Sequence, residues 1–198
     1  TFWKGRVQVN APTLFLMGFH FIFVLGGLTG VMVAVLPFDW QVHDTYFIVA
    51  HFHYVLVPGA LFAALGGAYY WLPKWTGHMY DEKLGQWHFW LSMITFNITF
   101  FPMHFLGLAG MPRRYADYPM QFADFNMLAS VGAFGFGLAQ VYFFFFVALP
   151  VMRGQGEKAP QKPWEGAEGL EWEIPSPAPF HTFETPPKLD VTATRIIG

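Results

Sequence analysis

The chain has 198 residues, a formal net charge of −2 and no cysteine. That balance excludes disulfides, thiolate-held metal clusters and a cysteine nucleophile, and it argues against a nucleic-acid partner. Apolar residues make up 54% and aromatics 20%, while only 12% are charged, about half the usual share for a soluble domain, so the composition is that of a membrane protein.

The first residues, "TFWKGRVQVNAP", lack a short apolar core followed by a small-residue cleavage site, so they are not a signal peptide. The chain reads like the middle or end of something longer. Four long apolar segments follow, at about 13–36, 45–72, 87–111 and 125–152. Each exceeds the ~20 residues that cross a bilayer as a helix, and none contains Lys, Arg, Asp or Glu. The expected fold is an all-α membrane protein with four transmembrane helices within residues 1–152. Gly26 and Gly30 form a G-x-x-x-G, and Ala129, Ala133 and Gly137 form a small-residue stripe; both spacings suit close helix packing in lipid. Pro58, Pro102 and Pro150 fall inside apolar segments, where membrane helices tolerate them as kinks.

Lys and Arg in the loops set the orientation. Lys4 and Arg6, then Lys74 and Lys83, then Arg153, Lys158 and Lys162 share one side, which is expected to be cytoplasmic or matrix. The 37–44 loop, "PFDWQVHD", has no Lys or Arg and falls outside. The 111–124 loop must also lie outside, yet it carries Arg113 and Arg114. Residues 153–198 are rich in Pro and charge, and they read as a mostly extended tail on the cytoplasmic side.

The second segment holds His51 and His53. Successive helical residues turn 100°, so the two imidazoles stand about 200° apart and only ~3 Å apart in height. They cannot share one metal, which needs i, i+3 or i, i+4 spacing on a helix. Two ligands on opposite faces serve two partners, and neutral imidazole is a common heme ligand. The geometry suggests one helix between two hemes. A bond from each His to a neighbouring helix, or a proton relay, are the other readings. His20 reads as a packed, hydrogen-bonded group, His104 as a partner for a carbonyl freed by Pro102, and His78 and His88 as interfacial.

At the outer end stand Asp39, His43, Asp44, Arg113 and Arg114. Asp44 lies roughly 10 Å above His51 at 1.5 Å per residue. A heme bound at His51 or His53 with its carboxylates outward reaches this level, and two arginines suit propionates. The cofactor then neutralises the arginines, which accounts for the charge on the outer loop. His43 and Asp44 are candidate ligands for Mg²⁺, which accepts few protein ligands plus water. A polar helix cap with a charged loop is the plainer reading.

"VHDTYFIVAHFHYV" followed by "TFFPMHFLGLAGMPRRY" resembles subunit I of the heme-copper terminal oxidases, in its cytochrome c oxidase branch. The resemblance runs from "GGLTG" through "LEWEIPSPAPFHTFE". It implies that the four helices are the last third of a twelve-helix bundle. It implies that His51 ligates the high-spin heme where O₂ is reduced, that His53 is an axial ligand of the low-spin heme, and that Phe52 lies between the two. It matches His43 and Asp44 to a Mg²⁺ site completed by subunit II, Asp39 and His43 to residues near a propionate, and Arg113 and Arg114 to the propionate-holding pair. The implied cofactors are two hemes, of the heme A type, and Mg²⁺. Copper belongs to the complex but is ligated outside this segment, since the paired histidines of that site are absent here.

The implied reaction is reduction of O₂ to water with electrons from cytochrome c, coupled to proton pumping. The implied partners are the remaining helices of subunit I, subunits II and III, cytochrome c and the lipid of a respiratory membrane, bacterial plasma or mitochondrial inner. The chain departs from many relatives at Val57-Pro58, where Pro58 cannot donate to Tyr54 and a bend is expected. A quinol-oxidising relative is the nearest alternative. A non-redox channel or transporter lined by Ser92, Thr95, Asn97 and Thr99 is the alternative of a different class.

Overall fold

The computed structural model describes residues 5, 7–185 and 187. Lys4 and Arg6, and the tail from residue 188 onward, lie outside the described residues. Four helical spans are long and apolar enough to cross a membrane: Ala11–Ala34, Tyr46–Thr76, Glu82–Leu108 and Met120–Met152. They are built from α1 (Ala11–Ala34), α3 (Tyr46–Leu56), α4 (Ala63–Thr76), α5 (Glu82–Leu108), α6 (Ala123–Tyr142) and α7 (Leu149–Met152), with the short α2 (Leu36–Val42) between the first two spans. Among the described residues there is no β-strand.

Local chemistry explains the ends. Asn10 caps α1 by accepting from Thr13 N at 3.1 Å, with Pro12 in the first turn, where its missing N–H costs nothing. Asp81 caps α5 by accepting from the N–H groups of Lys83 and Leu84. That cap starts the third span at Glu82, five residues before the apolar run, so the span includes charged residues. Gly77, at φ 76°, ends α4 in the left-handed conformation with its N–H on Pro73 O, the usual glycine stop. The chain breaks at Val35, and residues expected as loop from Pro37 onward form the short α2 instead.

Two spans contain π-helical turns, at Val57–Phe62 and Phe143–Ala148. The first begins where Pro58 cannot donate, so the expected bend takes the form of one widened turn. It leaves α3, with His51 and His53, as a separate regular segment above it.

Packing rests on glycines where backbones meet. A Cβ on Gly107 would coincide with the Phe47 backbone, and one on Gly132 would stand 2.5 Å from Thr99 N. A Cβ on Gly26 would stand 2.8 Å from the Tyr54 backbone carbon. The fourth span packs through Ala129, Gly132 and Ala139, which are buried, while Ala133 and Gly137 are exposed. Of the expected stripe, only Ala129 is buried against this chain's other helices; the contact within the chain continues through Gly132 and Ala139 instead.

An aromatic core surrounds Phe15, whose ring centroid lies 5.5 Å from Phe62, 5.5 Å from Tyr69 and 5.3 Å from Phe89. Outward, Met17, Phe21, Val24, Leu28 and Val31 of α1 are exposed, a surface suited to lipid or to further apolar helices. Tyr80, between the second and third spans, has a buried hydroxyl; burial first and the Glu82 carboxylate second hold its pKa above the ordinary tyrosine value.

The tail is largely irregular, with one short 3₁₀ turn at Leu170–Trp172, yet it is anchored. Trp172 is fully buried and Ile174 nearly so. Trp164 Nε1 donates to Tyr70 O at 2.8 Å. Lys74 Nζ donates to Ile174 O at 2.8 Å and Gln161 O at 3.1 Å and lies 5.2 Å from the Trp172 ring centroid. Lys74 is thus buried inside α4 under the tail rather than a solvated loop charge.

Candidate functional site

α3 starts at Thr45, whose hydroxyl accepts from Phe47 N at 3.2 Å, and its helical turn sends His51 and His53 to different neighbours. His51 faces α1. Its Nδ1 lies 2.9 Å from Gly26 O and 3.2 Å from Thr29 Oγ1. His53 faces α5, where its ring stacks on Phe100 at 4.1 Å and 17°. Its Nδ1 lies 2.7 Å from Val49 O of its own helix.

A carbonyl oxygen only accepts, so each Nδ1 carries the proton, and in the neutral ring Nε2 then presents a lone pair. Among the described residues, neither Nε2 has a hydrogen-bond partner. This is the state in which metal-bound histidines are usually held, with the far nitrogen donating to a carbonyl. The residues therefore fit two metal-bearing cofactors on opposite sides of one helix. Phe52 lies between the two histidines in sequence; its ring is 4.5 Å from His53 and carries Arg113 Cζ at 6.0 Å.

The outer cluster is assembled by two chain segments. Tyr46 N donates to Met111 O at 3.0 Å and Arg113 N to Asp44 O at 2.9 Å, beside an antiparallel bridge between Thr45 and Pro112. Asp44 at φ 56° and Arg114 at φ 66° take left-handed conformations at this crossing, a strained arrangement that costs of order 1–3 kcal/mol per residue.

Side chains then form a chain of charge. Asp39 Oδ2 lies 3.5 Å from His43 Nδ1, His43 Nε2 lies 3.7 Å from Asp44 Oδ2, and Asp44 Oδ1 lies 3.7 Å from Arg113 Nε. His43 and Asp44 are mostly exposed, so these contacts are weak as stabilising ion pairs. Among the described residues no three-ligand cation site is formed; His43 and Asp44 supply at most two ligands. Arg114 enters none of these ion pairs.

Other histidines differ from their expected settings. His88, expected at the interface, is fully buried near the start of α5. Tyr69 Oη lies 2.9 Å from its Nδ1, Gln140 Oε1 lies 3.4 Å from its Nε2, and Gln140 Nε2 donates to Ser92 Oγ at 3.1 Å. This network ties three spans, and neither its depth nor its partners show in the spacing of one histidine. His104 does bind a carbonyl, but that of Phe101 at 3.2 Å; Pro102 frees the carbonyl four residues back, at Ile98. His20 places Nδ1 on Leu16 O at 2.8 Å, with an exposed ring.

The hydroxyls proposed to line a channel bond elsewhere. Thr95 and Thr99 donate to carbonyls of their own helix at 2.6 and 2.7 Å. Asn97 accepts from Tyr54 Oη at 2.8 Å and donates to Met93 O. Back-bonding of this kind satisfies each hydroxyl within its own helix.

Comparison with known proteins adds the following. Residues 1–135 match the family model described as Cytochrome C and Quinol oxidase polypeptide I. The chain is 48% identical over 189 residues to cytochrome c oxidase subunit 1 of Synechocystis, which covers 96% of the chain and 34% of that protein. It is 44% identical to cytochrome c oxidase subunit 1 of Cereibacter sphaeroides, over 95% of the chain and 33% of that protein. The chain thus spans about a third of the length of these relatives. A cryo-EM structure of a heme-copper terminal oxidase dimer aligns with a TM-score of 0.66 at 19% identity, covering 79% of the chain and 30% of the solved one. That likeness shows a shared fold.

Proposed function

The chain belongs to the cytochrome c and quinol oxidase polypeptide I family, and on that premise we propose that it is part of the catalytic subunit of a proton-pumping oxidase that reduces O₂ to water with electrons from cytochrome c. The observation that carries this reading is the pair of histidines on opposite faces of α3, each with Nδ1 on a carbonyl and Nε2 open. When bound, two hemes supply the redox chemistry, and the protein supplies position and electrostatics.

In this reading His51 holds the high-spin heme and His53 the low-spin one. Each is held in one ring orientation by the carbonyl that accepts from its Nδ1. Phe52 separates the two sites along the helix. Arg113 and Arg114 hold the carboxylates of the cofactors, with Arg113 already steered by Asp44 at 3.7 Å. Asp39 and His43 stand beside them. His43 and Asp44 offer two ligands to Mg²⁺, and water and a carboxylate from subunit II complete the shell. Heme A as the heme type, copper held by earlier helices, and partnership with those helices, subunits II and III, cytochrome c and a respiratory membrane belong to the same proposal.

The test uses the assembled complex. A reduced-minus-oxidised spectrum with two heme components, oxygen uptake with reduced cytochrome c exceeding that with quinol, and acidification outside reconstituted vesicles during turnover support the reading. Uptake with quinol alone replaces it with a quinol oxidase. A spectrum without heme overturns it.

A further inference from the structure

Thr29 lies one residue before the second glycine of the G-x-x-x-G motif and enters no role assigned above. Its hydroxyl donates to Gly26 O at 2.8 Å. The same oxygen lies 3.2 Å from His51 Nδ1, which is itself 2.9 Å from Gly26 O. The three atoms close a triangle. Since the hydroxyl proton points to the carbonyl, the oxygen's lone pairs face the imidazole N–H. Nδ1–H is therefore shared between two acceptors, a carbonyl fixed in the α1 backbone and a hydroxyl fixed by that carbonyl.

The next residue closes the setting from the other side. A Cβ on Gly30 would stand 2.7 Å from His51 Cε1, so the imidazole edge lies against bare backbone. Rotation about the Cβ–Cγ bond of His51 moves Nδ1 off its acceptors or drives Cε1 into α1. The motif thus does more than let two helices approach: it forms a socket for one ring.

We propose that Thr29 is a positioning residue, which with Gly30 fixes the rotational setting of the His51 imidazole and hence the direction of its Nε2 lone pair. The inference rests on the reading of His51 as a heme ligand. Two orienting contacts, one from a hydroxyl and one from a carbonyl, hold a ligand more narrowly than either alone. His53 has no such socket; its anchor lies within its own helix, so a change at Thr29 acts on one heme only.

The experiment is resonance Raman spectroscopy of the reduced, fully assembled oxidase complex carrying Thr29→Val, Thr29→Ser or His51→Ala. Thr29→Val keeps the branched shape and removes the oxygen. It is expected to shift and broaden the iron–imidazole stretching band of the high-spin heme, with the bands of the low-spin heme unmoved. Thr29→Ser is expected to restore the wild-type band. An unmoved band in Thr29→Val, or an equal shift in Thr29→Ser, overturns the inference while leaving the ligand reading intact. A band that persists in His51→Ala overturns the ligand reading itself, and the two failures are distinct.

Discussion

At the scale of single residues, the far nitrogen of a histidine decides what the near one can do. His51 takes its anchor from another helix, at Gly26 O, and His53 from Val49, one turn back on its own. The opposed directions were legible from a spacing of two. The anchors were not, because the first depends on which helix lies alongside. Polar partners between helices matter modestly for stability. Tyr54→Phe removes the 2.8 Å bond to Asn97 and is expected to cost about 0.6 kcal/mol, with about 1.7 as an upper bound, read as a small drop in the thermal midpoint of the solubilised complex. Asp44 is different, since it is exposed and its ion pairs are weak. Asp44→Asn is expected to leave that midpoint within about 1 kcal/mol equivalent while lowering the Mg²⁺ content of the purified complex by elemental analysis. Unchanged Mg²⁺ removes Asp44 from the cation site.

At the scale of elements, hydropathy located all four spans but not their ends. The third begins at Glu82 because Asp81 caps it, and that cap was readable in "YDEKLG". A run defined by the absence of charge necessarily starts too late. In the fourth span, three small residues spaced by four invite a seam, yet the contact within this chain goes through Gly132, and a Cβ on Gly137 would meet nothing within 4 Å. Which face meets a partner depends on the partner, so the sequence of one helix cannot choose. A paired test follows: Gly132→Val, which drives a side chain into the Thr99 backbone, is expected to abolish assembly of heme-containing complex, and Gly137→Val to leave its yield near wild type. Equal yields contradict the packing described. His88 belongs here too, because its network joins three spans. His88→Leu leaves the Tyr69 hydroxyl and Gln140 carbonyl without their partner and is expected to cost about 1–3 kcal/mol, seen as a lower midpoint with both heme spectra retained.

At the scale of the whole molecule, the tail and the open apolar faces set the terms. Composition marked residues beyond 152 as extended; the described ones are largely irregular, but burial of Trp172 and the grip of Lys74 on two tail carbonyls tie them to the end of the second span. No local pattern announces a strap held by a lysine from a distant helix. Lys74→Met is expected to make the tail sensitive to limited proteolysis, with heme spectra unchanged; resistance equal to wild type denies the clasp its role. The chain spans about a third of its relatives' length and keeps exposed apolar helix faces, so every functional test belongs to the assembled complex. If one helix serves two hemes from opposite faces, the reduced-minus-oxidised optical spectrum of that complex with His51→Ala and, separately, His53→Ala shows it. Each substitution is expected to perturb a different heme component, high-spin for His51 and low-spin for His53. Both components surviving unchanged in either variant, or the same one lost in both, would contradict it.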